Sequence, residues 1–305
     1  MNWGPACFSL ISVTFTGVLM LFLTLSEDFT IKQEMKYSNG MFMEFITDSK
    51  IFHNKADFKV LPLLLNISEC HLSTVTILPL KIYVIGVNKG QLAKLLVKIC
   101  PNANFRGFEA DPMIYATYLE NLNLTTSMNN SFKFYNIGVS EKNGVLPFYT
   151  RGVGMGLELG SFEIMSSANE FVANVSTKSL PNIMKTFGDE KIDFLIIDVE
   201  GHEGKVFKGM EMAQYCNFYP LIQVELGDSR SDYDQKQFLL KMMNLKYDIY
   251  LMGEMDFQPI LQKIPYNNLV NEDCKTCLRQ NVLLVKKSHV ISNILYAIQN
   301  LTHKI

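Results

Sequence analysis

The chain has 305 residues, of which 48% are hydrophobic, so it can bury a full core as one large α/β domain or two small ones. A formal net charge of −2, with no run of Lys or Arg interleaved with aromatics, leaves no electrostatic footprint for a nucleic-acid partner. No repeat or low-complexity segment is visible.

From Phe8 to Leu25 the chain runs without a charge. As a helix this segment would be roughly 27 Å long and could span the hydrocarbon core of a bilayer. It exceeds the about 7 to 15 residues of a signal peptide's apolar region, so it reads as an uncleaved anchor, with Thr24 and Ser26 leaving cleavage open. Lys32 and Lys36 follow the segment and no Lys or Arg precedes it, which alone points its carboxyl side to the cytosol. Five N-glycosylation sequons, at Asn66, Asn123, Asn129, Asn174 and Asn300, point the other way and favour a domain in the secretory lumen or outside the cell. The expected organisation is a signal-anchor at 1–30, an extension at 31–78 and a main domain at 79–305.

Beyond Cys7 the chain carries Cys70, Cys100, Cys216, Cys274 and Cys277, an odd set that leaves at least one thiol unpaired or intermolecular. Cys274 and Cys277 form a C-x-x-C without a second pair or a suitably spaced His, which reads as a loop disulfide or plain thiols and not as a zinc site.

From Leu78 an α/β pattern begins. Leu80 to Ile85 reads as a first strand, Gly86-Val87-Asn88-Lys89-Gly90 as a tight turn and Leu92 to Ile99 as a helix. Phe105 to Glu109 reads as a second strand ending in an acid able to accept hydrogen bonds from ribose hydroxyls. A third strand spans Phe132 to Ile137, and Asn143-Gly144 fits a hairpin turn. Gly152 to Gly160 lacks the strand and helix of a dinucleotide fingerprint and reads as a loop on the substrate side. Ile192 to Ile197 is an apolar run suited to a strand covered on both faces, and it stops in Asp198-Val199-Glu200-Gly201-His202-Glu203. Val206, Phe207 and Met210 then give a helix an apolar face. Pro220 to Leu226, Tyr247 to Met252 and Asn281 to Val285 read as further strands, with a helix at Gln235 to Asn244. A last amphipathic helix carries Ile291, Ile294, Leu295, Ile298 and Leu301.

Ile197-Asp198-Val199-Glu200-Gly201-His202-Glu203, with Lys208-Gly209 beyond it, resembles the signature of the FkbM-type methyltransferases. In that family an apolar strand enters I-D-x-E-G-x-E and a helix ends in K-G. The resemblance extends to Gly86, Asn88 and Gly90 of a first motif D-x-G-A-N-x-G, to Phe108-Glu109 at the end of the second strand, and to Val139-Ser140-Glu141 of a segment near the adenine. Val84 stands where the family carries an aspartate that helps hold the methionine amino group. The resemblance implies a Rossmann-like class I methyltransferase sheet, mostly parallel with an antiparallel terminal hairpin. It also implies S-adenosyl-L-methionine as cofactor, held by Gly86, Asn88, Gly90, Glu109, Ser140 and Asp198.

Methyl transfer to oxygen needs an acceptor aligned with the methyl group and a base for its proton. Asp198, Glu200 and His202 are the candidate catalytic residues, although a lone His here reads equally as an exposed helix residue. The resemblance implies O-methylation of a hydroxyl on a glycan or small molecule. A catalytically inactive, membrane-anchored binding module is the alternative that Val84 keeps open. A nucleotide-sugar enzyme of similar sheet architecture would need a diphosphate-binding feature or a metal-binding D-x-D.

Overall fold

The computed structural model describes residues 79–288 except 89, 122–131, 151–159, 165–169, 213–215, 227–233, 256–257 and 268–279. These residues fall within the unit Ala56–Ser292. The apolar segment Phe8 to Leu25, the sequons at Asn66, Asn123, Asn129 and Asn300, most of the Gly152 to Gly160 loop, the C-x-x-C and the last helix lie outside the described residues. Among the described residues no helix is long and apolar enough to cross a membrane.

The elements follow as β1 (Lys81–Ile85), α1 (Gln91–Ile99), β2 (Asn104–Glu109), α2 (Pro112–Asn121) and β3 (Phe132–Asn136). Then come β4 (Gly138–Val139), β5 (Gly144–Thr150), β6 (Glu170–Lys178), α3 (Leu180–Phe187), β7 (Phe194–Ile197) and α4 (Glu203–Gly209). The described chain closes with β8 (Leu221–Leu226), α5 (Gln235–Asn244), β9 (Tyr247–Met255), β10 (Gln258–Lys263) and β11 (Gln280–Lys286).

One sheet runs in the order β10-β9-β11-β8-β7-β1-β2-β3. Pairing is parallel from β8 through β7, β1 and β2 to β3, whereas β11 is antiparallel to both β8 and β9, and β10 is antiparallel to β9. This is the mostly parallel α/β sheet with a reversed edge that the resemblance implies. Its central strands β7 and, after Lys81, β1 are apolar runs, as suits strands covered on both faces. On one face Tyr83, Ile85, Leu195 and Ile197 pack in a core with Ile183 and Met184 of α3, Val206 and Met210 around α4, and Leu239 and Met242 of α5. The alternate residues Ile82, Val84, Phe194 and Ile196 are equally buried on the other face.

Local chemistry sets the helix ends. Gly90 precedes α1 at φ 73 and Gly188 ends α3 at φ 69, left-handed positions suited to glycine. Asp234 caps α5 by accepting the Gln237 N–H at 3.0 Å.

One correction to the sequence pattern concerns the insert between β3 and β7. Asn143-Gly144 closes no hairpin: β4 before it and β5 after it flank β6 in a second sheet ordered β4-β6-β5, so they do not pair with each other. The Asn143 side chain instead accepts the Ser179 N–H at 3.2 Å. The helix α2, the insert strands β4, β5 and β6, the helix α3 and the edge strand β10 add to the predicted elements.

The ends of β1 and β7 are pressed together at one glycine. Gly86, at φ +83, donates its N–H to the Phe108 carbonyl at 2.9 Å, and Asp198 donates its N–H to the Ile85 carbonyl at 2.9 Å. A Cβ at Gly86 would stand 1.7 Å from the Asp198 carbonyl oxygen. Gly86→Ala is therefore expected to lower unfolding free energy by more than about 3 kcal/mol, through backbone strain and the forced separation of the two strands. Urea denaturation with an unchanged midpoint would refute this.

Candidate active site

At the carboxyl edge of the sheet the strand order turns back at β1, with β2 on one side and β7 on the other. Such a switch point opens a crevice between the loops that leave the two central strands. Here it is a cleft open to solvent. Gly86 and Asn88 line it from the turn after β1, Glu109, Ala110 and Asp111 from the end of β2, and Asp198, Val199, Glu200 and His202 from the turn after β7. Phe108, Ile137, Val139, Phe148 and Phe162 add apolar wall. No Lys or Arg is among the described residues that line it.

Glu109 is fixed by the backbone around it. Its Oε2 accepts the Asn88 N–H at 2.8 Å and its Oε1 accepts the Asp111 N–H at 2.9 Å. Asn136 holds the strand end by donating its side-chain amide to the Glu109 carbonyl at 2.8 Å. Burial pushes the Glu109 carboxyl up, against the amide hydrogen bonds that favour the anion. Each oxygen accepts one such bond and keeps a further lone pair. Asn88 adopts a left-handed φ of 52, which turns its N–H towards this carboxylate. Gly90 caps α1 and stands outside the cleft wall.

The acidic turn after β7 is closed by its own second glutamate. Glu203 Oε1 accepts the N–H groups of Val199 and Gly201, both at 3.2 Å, while Glu200 and Gly201 take left-handed φ values of 51 and 102. Burial, and to a smaller extent nearby Glu225, pushes the Glu203 carboxyl up to about 7 against the amide bonds. The terminal Glu of the signature thus folds the turn, and Asp198 and Glu200 are the acids left on the cleft wall. Gly209 lets α4 lie against the exit of β4, because a Cβ there would come within 2.3 Å of the Ser140 carbonyl.

His202 is not an exposed helix residue. It is 3% exposed, precedes the first residue of α4, and both ring nitrogens are engaged. Nδ1 lies 2.7 Å from Glu163 Oε1, Nε2 lies 2.9 Å from Ser140 Oγ, and the Phe162 ring centroid is 5.0 Å away. The hydrogen bond to His202 holds the Glu163 carboxyl below its usual range despite partial burial. Ser140 is buried and does not line the cleft; its hydroxyl turns to His202 and its N–H donates to the Lys178 carbonyl at 3.0 Å. The structure thus brings Gly86, Asn88, Glu109, Asp198, Glu200 and His202 to one cleft and sets Gly90 and Ser140 behind it. Sequence reasoning misses Glu163, which sits in a loop without periodicity, and Asp111. The Asp111-Pro112 pair is a helix-start signal that marks the second of these.

The profile of the methyltransferase FkbM domain matches residues 85–268. The chain belongs to the FkbM methyltransferase domain family. Among solved structures it is similar to the FkbM methyltransferase from Methylobacillus flagellatus, at 12% identity and a TM-score of 0.43, over 72% of this chain and 47% of that one. It is also similar to precorrin-6y C5,15-methyltransferase from Geobacter metallireducens, at 8% identity and a TM-score of 0.40, over 78% of this chain and 92% of that one. The chain therefore spans less than half the length of the first of these relatives. No functionally curated protein matches it.

The Glu203 carboxyl gives a pH signature for the fold. Its native pKa of about 7 lies above the ordinary 4.5, so the folded state holds this proton more tightly. The stability it contributes is complete below the ordinary value and is lost as pH rises through the native one. Glu203→Gln keeps the amide acceptor and removes the titration. Thermal melts at about pH 5 and about pH 8 are expected to show a decline in the wild type that is smaller in the variant. Equal declines would contradict this role for Glu203.

Proposed function

We propose that the chain is an S-adenosylmethionine-dependent O-methyltransferase acting on a hydroxyl of a glycan or small molecule. The observation that carries this reading is the Glu109 carboxylate, held by two backbone amides on the wall of the switch-point cleft. A fixed carboxylate beside apolar Phe108, Ile137 and Val139 fits a ribonucleoside, whose hydroxyls donate and whose base prefers an apolar slot. A wall with several acids, and no Lys or Arg among its described residues, fits a cationic sulfonium better than an anionic phosphate. When bound, the cofactor supplies an electrophilic methyl group.

The chain's own residues then have to align the acceptor and take its proton. A Glu163 carboxylate can only accept, so His202 Nδ1 carries hydrogen and neutral Nε2 carries the lone pair. Ser140 donates to that lone pair from behind the cleft wall, so the Ser140 hydroxyl has to rotate away before Nε2 can take an acceptor's proton. His202 is thereby the general base, Glu163 fixes its tautomer, and Asp198 and Glu200 orient the acceptor from the same turn. An inactive binding module is the second reading, favoured by Val84, which is 1% exposed in the sheet interior where the family carries an acid.

We place the domain on the luminal or extracellular side of a membrane, held by the Phe8 to Leu25 segment. Two features support this: Cys100 is disulfide-bonded, as suits an oxidising compartment, and Asn174 and Ser176 of one sequon are both exposed on β6.

Calorimetric titration with S-adenosylmethionine is expected to show binding by the wild type and a loss of about ten- to a hundredfold in Glu109→Ala. A folded wild type that takes up no S-adenosylmethionine would sink the enzymatic reading. In a screen for methyl transfer to glycans, His202→Gln is expected to keep nucleoside affinity and lose about a hundredfold in rate. Expressed in secretory cells, the full chain should be membrane-bound and shift in mobility on removal of N-linked glycans; an unshifted soluble product would reject the placement.

A further inference from the structure

Asp111 is 1% exposed and begins α2, where its Oδ1 accepts the N–H groups of Met113 at 2.8 Å and Ile114 at 3.3 Å. That is ordinary helix capping and accounts for one oxygen. The other, Oδ2, is buried and has no hydrogen-bond partner, although Asp111 lines the cleft. A buried carboxylate oxygen without a donor is costly, and such an atom on a cavity wall marks where a donor from a ligand belongs. Asp111 also donates its N–H to Glu109 Oε1 at 2.9 Å, so the two carboxylates are neighbours at one edge of the cleft. Neither has a Lys or Arg beside it among the described residues of the wall.

We propose that Asp111 is a second ribose-binding residue, its Oδ2 accepting from one of two vicinal hydroxyls while Glu109 accepts from the other. This rests on the nucleoside reading of the cleft. Two adjacent, backbone-anchored acceptors match a cis-diol, since each hydroxyl donates one hydrogen. A 2′-phosphorylated or deoxygenated sugar would leave one carboxylate repelled or unpaired. The pair therefore selects for an unmodified ribonucleoside. The selection needs no basic residue, because the ligand arrives as donor only.

Asp111→Asn tests this, because the amide oxygen retains the cap while Oδ2 becomes a donor where an acceptor is needed. The protein is the full chain, the probe S-adenosylhomocysteine with its 2′-deoxy and 3′-deoxy forms, and the readouts are calorimetric affinity and thermal midpoint. The expected result is an unchanged midpoint without ligand, a loss of about ten- to a hundredfold in affinity for the parent nucleoside, and no further loss against one of the two deoxy forms. If the wild type binds and Asp111→Asn binds equally well, this proposal is overturned while the nucleoside reading stands. A penalty that persists undiminished against both deoxy forms removes the ribose assignment. A folded wild type that binds none of the three probes overturns both.

Discussion

The cleft depends on one contact that only glycine permits, the meeting of Gly86 with the Asp198 carbonyl. With 1.7 Å between a virtual Cβ and that oxygen, the turns after β1 and β7 are as close as two backbones can come. The closeness is what lets residues far apart in sequence share one cavity wall. Gly209 repeats the device a few residues later, seating α4 on the Ser140 carbonyl. Residues of the motifs thus take different parts: some set distances, some fold the turn, and the rest face the cleft.

The acids divide in the same way. Glu203 spends its carboxylate on the N–H groups of Val199 and Gly201, so it builds the turn and does not face a ligand. Glu109 and Asp111 also accept backbone amides, yet both reach the cleft wall. Amide donors stabilise buried carboxylates without a counter-ion, which keeps the cavity electronegative. A cation placed among these acids would have cancelled that field and suited the site to phosphate.

The central sheet was legible because its strands are short apolar runs followed by glycine or acid, and buried strands of that kind admit few other readings. Switch-point acids were legible for the same reason, since position at a strand end gives Glu109 and Asp198 their place. The insert was harder. β6 alternates buried Val175 and Thr177 with exposed Asn174 and Ser176, but the same letters spell a sequon and only a few are apolar. Asn143-Gly144 suggested a hairpin because turn chemistry is local, whereas which strand pairs with which is decided by β6, which arrives much later in the chain. Glu163 could not be paired with His202 by any local rule; the two are 39 residues apart and meet only in the fold.

That meeting joins two stretches far apart in the chain. His202 stands in the turn that Gly86, Gly201 and Glu203 shape, while Glu163 follows Ser161, which exchanges backbone hydrogen bonds with Tyr149 of β5, and Phe162, whose ring lies against Gly138. Ser161 and Phe162 line the cleft while their neighbour Glu163 bonds the His202 ring, so a substitution at this corner would alter the shape of the cavity wall and the surroundings of the imidazole together.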